Sequence, residues 1–501
     1  MEIPTMKTNV LWNILVRVLS YGVLLLAVRF TYIVTLTGGS CGSEDFCFFP
    51  DNTVLRSAAT VRARASFIVS GTGDAGDSHL HDLWTTKKWR RTVDYYSSIF
   101  QDFVPEGFLS PDSKVLCVDT LYGEDVFALR EIGIVDSVGI SKKSSPPLIV
   151  SGESHRQPFD GNTFDFVFAG NACLDRSVRP VEFASEVGRT LKAGGFLVVH
   201  TMAKDSYSFT SFLDLFNCCT LVRSRQIDGL DFPSVRQIVM KKEAIPSGRS
   251  SDECSLGGHK PEIILNAEMI IEQEPLKPWI TLKRNVRNVK YLSAMVDISF
   301  KRRYVYVDVG ARSYGSSIGG WFKKQYPKQN KTFEVYAIEA DKAFHEEYKN
   351  KKGVALLPYA AWVRNETLFF EITRDASKKT MERGRGMGRI QQSARSSTSY
   401  MLDGDKIQGF DFADWLKKTV SVKDYVVVKM DVEGAEFHLI PRLIETGAMC
   451  LIDEFFLECH YNRWQRCCPG QRSFKYQKTY GQCLELFTSL RESGVLVHQW
   501  W

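Results

Sequence analysis

The chain has little that would mark a specialised polymer or a nucleic-acid protein. Its net charge of +6 over 501 residues is slight and spread out, which argues against a dedicated nucleic-acid binder. No zinc-finger spacing, homeodomain-like helix or aromatic RNA-binding signature occurs, and collagen-like, mucin-like or disordered bias is missing. A serine–histidine–acid arrangement and a His-Glu-x-x-His motif are also lacking, so neither route to hydrolysis is supported and no residue is assigned to a metal. The adjacent pairs Cys218-Cys219 and Cys467-Cys468 do not have zinc-site spacing. What is there is globular in composition, and the length calls for two or three domains rather than one core.

Residues 10–36 are apolar apart from Asn13, Ser20, a few threonines, Arg17 and Arg29. That exceeds the ~20 residues a bilayer requires, and arginines near the ends of a span can snorkel. Lys7 and Arg17 precede the most apolar part while Glu44 and Asp45 follow it, which puts the N-terminus in the cytosol. The expectation is a single-pass type II anchor in the Golgi or endoplasmic reticulum membrane, with the bulk of the chain lumenal. A cleaved signal peptide ending near Thr37-Gly38-Gly39 is the alternative. Two sequons, at Asn330 and Asn365, and twelve cysteines are compatible with a lumenal site. Cys41 and Cys47 could pair, as could some of Cys450, Cys459, Cys467, Cys468 and Cys483; Cys117 and Cys173, inside apolar runs, suit buried free thiols.

The division expected is an anchor and stem over residues 1–50, a first α/β domain over 75–243, a linker over 244–290 and a second α/β domain over 291–501. In the first, a helical stretch at 80–103 precedes strands at 114–119, 137–141, 164–170 and 196–201, with helices at 124–132 and 180–191 between them. Such alternation implies a doubly wound, mainly parallel sheet. The segment from Pro158 to Val167, with Leu191-Lys192-Ala193-Gly194-Gly195 and the strand after it, resembles class I S-adenosylmethionine-dependent methyltransferases. Two departures stand where a cofactor should bind. Thr120-Leu121-Tyr122-Gly123 replaces a glycine-rich loop, and Ser141-Lys142 ends the second strand without an acid to accept ribose hydroxyls. The expectation is a methyltransferase-like domain that has lost its cofactor.

The second unit carries the chemistry. A strand at 304–309 ends in Asp308 and turns at Gly310; the next, at 334–338, ends in Glu339, roughly 30 residues on, where a doubly wound fold places its ribose-binding acid. The buried-looking run Val426-Val427-Val428-Lys429-Met430 then breaks into Asp431-Val432-Glu433-Gly434-Ala435-Glu436, and a last strand ends in Glu458-Cys459-His460. Three carboxylates crowded after one strand are costly unless something uses them. These segments, with Val307-Asp308-Val309-Gly310-Ala311 and Ile338-Glu339-Ala340, resemble the FkbM family of S-adenosylmethionine-dependent O-methyltransferases over residues 304–460. The resemblance implies S-adenosyl-L-methionine as cofactor, bound by Asp308, Gly310 and Glu339, with Asp431 and Glu433 lining the site. The pairing with an anchored, degenerate first domain is similar to a plant arrangement.

Asp431 and His460 are the candidates for a base on the acceptor side, His460 as a neutral imidazole. The insert at 373–401 holds Arg374, Lys378, Lys379, Arg383, Arg385, Arg389 and Arg395 against Asp375 and Glu382. It reads as a mobile loop, either merely solvated or a lid over an acidic acceptor such as a uronic-acid glycan. Two other readings stay open. One is an inactive pseudo-methyltransferase that partners Golgi glycosyltransferases; the other is cation binding by the carboxylate turn.

Overall fold

A computed structural model describes residues 84–244, 260–374, 385–391, 405–465 and 470–500. The apolar stretch 10–36, with Cys41, Cys47, Cys467 and Cys468, lies outside the described residues. Among those described, no helix is long and apolar enough to cross a membrane.

Helix α1 (Lys87–Phe103) starts at Thr86, whose side chain accepts from the Trp89 N–H, and buries Trp89, Val93, Tyr96, Phe100 and Phe103. Their spacing of three or four puts them on one face, which covers the first sheet. That sheet consists of β1 (Val115–Val118), β2 (Ser137–Ser141), β3 (Ile149–Ser151), β4 (Phe164–Ala169), β5 (Leu191–Thr201), β6 (Cys219–Ile227) and β7 (Val235–Lys242), in the order β3-β2-β1-β4-β5-β7-β6. The first five are parallel, and β7 runs antiparallel between β5 and β6. Helices α2 (Glu124–Glu131), α3 (Pro180–Thr190) and α4 (Ser206–Leu213) complete this half. One local expectation changes: residues 191–195 do not end a helix in a loop but open β5, with Gly194 at φ +79° and a register shift against β4.

The second sheet contains β8 (Tyr304–Val309), β9 (Phe333–Ile338) and β10 (Val354–Leu357). Four strands then form a separate small sheet, β11 (Ala360–Trp362), β12 (Glu366–Arg374), β13 (Arg385–Gln391) and β14 (Asp405–Asp411), in the order β11-β14-β12-β13. The chain returns to the larger sheet through α5 (Phe412–Thr419), then β15 (Tyr425–Met430), α6 (Glu436–Glu445), β16 (Glu454–Leu457), α7 (Tyr480–Glu492) and β17 (Val497–Gln499). Its order is β10-β9-β8-β15-β16-β17, parallel throughout. All six residues of β15 are buried, as an apolar run between two helical layers should be.

Two expectations here need correcting. The basic insert is not simply a loop: within it, residues 385–391 pair antiparallel with β12, and Phe370 lies over Gly388, where a Cβ would sit 2.0 Å from the ring. The helix expected at 316–326 is a π-helical turn, Ile318–Phe322, running into Lys323–Gln325. Gly319 and Gly320 are poor helix formers, and Tyr314 packs so closely on Gly319 that a Cβ would fall 2.5 Å from its ring.

Residues 73–501 form one compact unit. The buried Tyr207 hydroxyl of α4 donates to Asp453 Oδ1 (2.6 Å), at the start of β16, and Lys301 Nζ lies 3.5 Å from the same oxygen. Lys260 Nζ donates to the carbonyls of Ile452 and Asp453, so the described end of the segment read as a linker is fastened to the second sheet.

Candidate functional site

In a doubly wound sheet, a crevice opens at the carboxyl ends of the strands where the order reverses, here between β8 and β15. Gly310 makes the junction possible. It sits at φ +79°, and a Cβ on it would lie 1.9 Å from the Asp431 carbonyl oxygen, so only glycine lets the two strand ends meet. The N–H groups of Gly310 and Ala311 donate to the Ile338 carbonyl at 3.0 and 3.1 Å, drawing the loop onto the end of β9.

Glu339 stands at that end. Its two oxygens accept from the N–H groups of Arg312 and Asp341, each at 2.6 Å. Burial outweighs these bonds and raises its carboxyl to about 7. Gly310, Arg312, Glu339, Asp431 and Glu433 line one cavity, closed on its apolar side by Phe344, Tyr359, Phe370 and Ile390. Four of the six residues expected at the site from the sequence, Gly310, Glu339, Asp431 and Glu433, are therefore brought together by the fold.

The other two lie elsewhere. Asp308 does not line the cavity. It is fully buried beneath it, where Oδ2 accepts from the Ser317 and Tyr306 hydroxyls and Oδ1 lies 3.4 Å from Lys429 Nζ. Lys429 also reaches Asp431 Oδ2 at 3.7 Å, so it ties Asp308 to the acidic turn. His460 is buried behind that turn rather than on the cavity wall, with its Nδ1 3.2 Å from Glu436 Oε1 and Nε2 3.5 Å from Asp431 Oδ1. Desolvation pulls its pKa down, but Glu436, Glu458 and Asp431 prevail and raise it to about 10. The carboxylates around His460 thus favour its charged form over the neutral imidazole expected.

The acidic turn is built by the chain's own strain and by partners far away in sequence. Glu433 and Gly434 have φ of +53° and +105°. Glu436 is wholly buried; Oε2 accepts from the Gly434 N–H at 2.9 Å and Oε1 from the His460 N–H at 2.7 Å. Glu433 Oε2 accepts from Lys475 Nζ at 2.5 Å and from the Tyr476 hydroxyl. Lys475 and Tyr476 are not legible in the sequence, and Glu458 is noted at a strand end without being assigned to the site. Glu458 alone left a signal, being an acid at a strand's carboxyl end. A disulfide joins Cys459 to Cys483 on α7, one of the pairings the sequence left open, while Cys117 and Cys173 are buried free thiols.

The corresponding edge of the first sheet also has a cavity, lined among others by Lys88, Arg91, Thr120, Tyr122 and Asp125. There Thr120 Oγ1 donates to the buried Asp125 Oδ1 at 2.5 Å, so the loop's polar groups satisfy one another.

Residues 265–368 and 387–501 match a family described as a domain of unknown function, DUF7870. No curated protein matches the chain. Among solved structures, a SAM-dependent methyltransferase from Methanosarcina mazei is 14% identical, over 28% of this chain and 97% of that one, with a TM-score of 0.23. A chain from the complex between the Haloferax volcanii Trm112 methyltransferase activator and the putative methyltransferase is 14% identical, over 34% and 100%, with a TM-score of 0.27. The Burkholderia thailandensis 1,6-didemethyltoxoflavin-N1-methyltransferase, solved with S-adenosylhomocysteine, is 13% identical, over 35% and 93%, with a TM-score of 0.26.

Proposed function

We propose that the protein is an S-adenosylmethionine-dependent O-methyltransferase whose site is the β8–β9–β15 crevice. The observation that carries this reading is the meeting of Gly310, Glu339, Asp431 and Glu433, distant in sequence, around one cavity at the sheet's switch point. The cofactor supplies a methyl group on a sulfonium cation. Glu339 accepts from ribose hydroxyls, and Asp431 and Glu433 offset the positive charge of the donor. The remaining task is alignment, with an acceptor oxygen held in line and its proton taken by Asp431. His460 lies behind Asp431, with Nε2 3.5 Å from Oδ1, and takes no part as the base.

We further propose that the acceptor is a hydroxyl or carboxyl group on a lumenal, acidic glycan and that residues 10–36 anchor the chain in a secretory membrane. What supports the acidic acceptor is the basic composition of the insert, whose described residues Gly388 and Ile390 on β13 line the cavity, while Lys378, Lys379, Arg383 and Arg395 lie outside the described residues. Calorimetric titration of the purified protein with S-adenosylmethionine tests the central claim. Saturable binding that Glu339→Ala weakens at least ~10-fold is expected, which corresponds to ~1.4 kcal/mol. Absence of binding by folded protein would replace it with the anchored-partner reading.

A further inference from the structure

Behind the cavity, Asp431, Glu458 and His460 offer three ligand atoms, all within 4.8 Å of one another. The pairwise distances have a character of their own. His460 Nε2 lies 3.5 Å from Asp431 Oδ1, 3.8 Å from Glu458 Oε1 and 3.9 Å from Glu433 Oε1. Each is too long for a good hydrogen bond. Each also falls in the range expected between ligands on a shared divalent cation, since bonds of ~2.1 Å separate neighbouring donors by ~3.0 Å and opposite ones by ~4.2 Å.

Two further features point the same way. Glu458 is only 6% exposed, and its Oε1 faces His460 Nε2 at 3.8 Å. Three carboxylates gathered about one imidazole are costly unless positive charge meets them. His460 has the second feature: Nδ1 donates to Glu436, which leaves Nε2 directed at Asp431 and Glu458. That carboxylate–histidine pairing is how metal-ligating imidazoles are usually oriented. The bland alternative is that a proton on His460, with Lys429, answers all this negative charge. A cation and that proton serve the same need, so the two compete for one place.

We propose that Asp431, Glu458 and His460, with Glu433 at the rim, form a binding site for a divalent cation of the Mn²⁺ kind. One imidazole among carboxylates suits such an ion better than a thiolate-seeking one. Asp431 belongs to both the cluster and the cavity wall, so an ion held there would adjoin the cavity. There the cation takes an oxygen of the methyl acceptor and makes its hydroxyl a better acid. This role, unlike the site itself, rests on the methyl-transfer reading.

The test is titration of the full chain, stripped with a chelator, with MnCl₂, following the free-ion signal by electron paramagnetic resonance. One saturable ion per chain is expected. Glu458→Gln should weaken uptake more than ~10-fold, and Glu436→Gln, through the orientation of His460, by ~10- to 100-fold. Thermal melts identify variants that fold, and Asp431→Asn, altering a partly exposed side chain, provides a second ligand variant. No saturable uptake by the folded wild-type chain, or undiminished uptake by folded Glu458→Gln, overturns the proposal. S-adenosylmethionine binding, measured in parallel with chelator present, separates the two readings. Mn²⁺ uptake without cofactor binding keeps the site and removes methyl transfer; cofactor binding without Mn²⁺ uptake does the reverse.

Discussion

At the scale of single residues, the site depends on groups whose environments leave few substitutes. Gly310→Ala places a Cβ against the Asp431 carbonyl in a left-handed backbone conformation, so neither a rotamer change nor a small shift relieves it. We expect a loss of at least ~2 kcal/mol in denaturant unfolding, together with weaker cofactor binding. Glu339 behaves differently, because its carboxyl is raised from an ordinary 4.5 to about 7 by burial. A raised acid favours its protonated form in the folded chain. Its contribution to stability is therefore complete below 4.5 and lost as pH rises through about 7. Ligand hydroxyls instead prefer the ionised acceptor, so affinity for S-adenosylmethionine should rise across pH 6–8. A binding profile equally flat in the wild type and in Glu339→Gln would count against this role. Lys429, a charge within the otherwise apolar run of β15, is buried between Asp308 and Asp431 and holds the floor of the site to its edge.

At the scale of elements, strand ends place the functional groups and connections between elements keep them there. The strands β8, β9 and β15 were legible from their apolar runs and the turns after them, to within a residue or so at each end. The small sheet was less so, since β13 is rich in arginine and glycine and becomes a strand by pairing with β12. The end of β16 is fixed covalently, because the Cys459–Cys483 bond, spanning 24 residues, ties Glu458 and His460 to α7. Replacing both cysteines by serine should cost ~3.5 kcal/mol by the loop-closure relation. Thermal unfolding with and without reductant checks this, and an unchanged midpoint in the double variant would show that the bond constrains little.

At the scale of the whole molecule, two parallel-cored sheets within residues 73–501 act as one unit. A buried knot of Tyr207, Lys260, Lys301 and Asp453 joins them. Tyr207→Phe removes a donor to a buried carboxylate and should cost ~1–3 kcal/mol. Calorimetry should show a single unfolding transition in the wild type and a shifted or split one in this variant. Sequence by itself determined the α/β class and the positions of Gly310, Glu339 and the Asp431–Glu436 turn, because period, strand ends and glycine turns are local properties. Only the tertiary structure decided that Asp308 serves beneath the cavity, that Lys475 and Tyr476 answer Glu433, and that Asp431, Glu458 and His460 converge. A side chain's direction and charge state depend on which distant segment packs against it, and no local pattern encodes that partner.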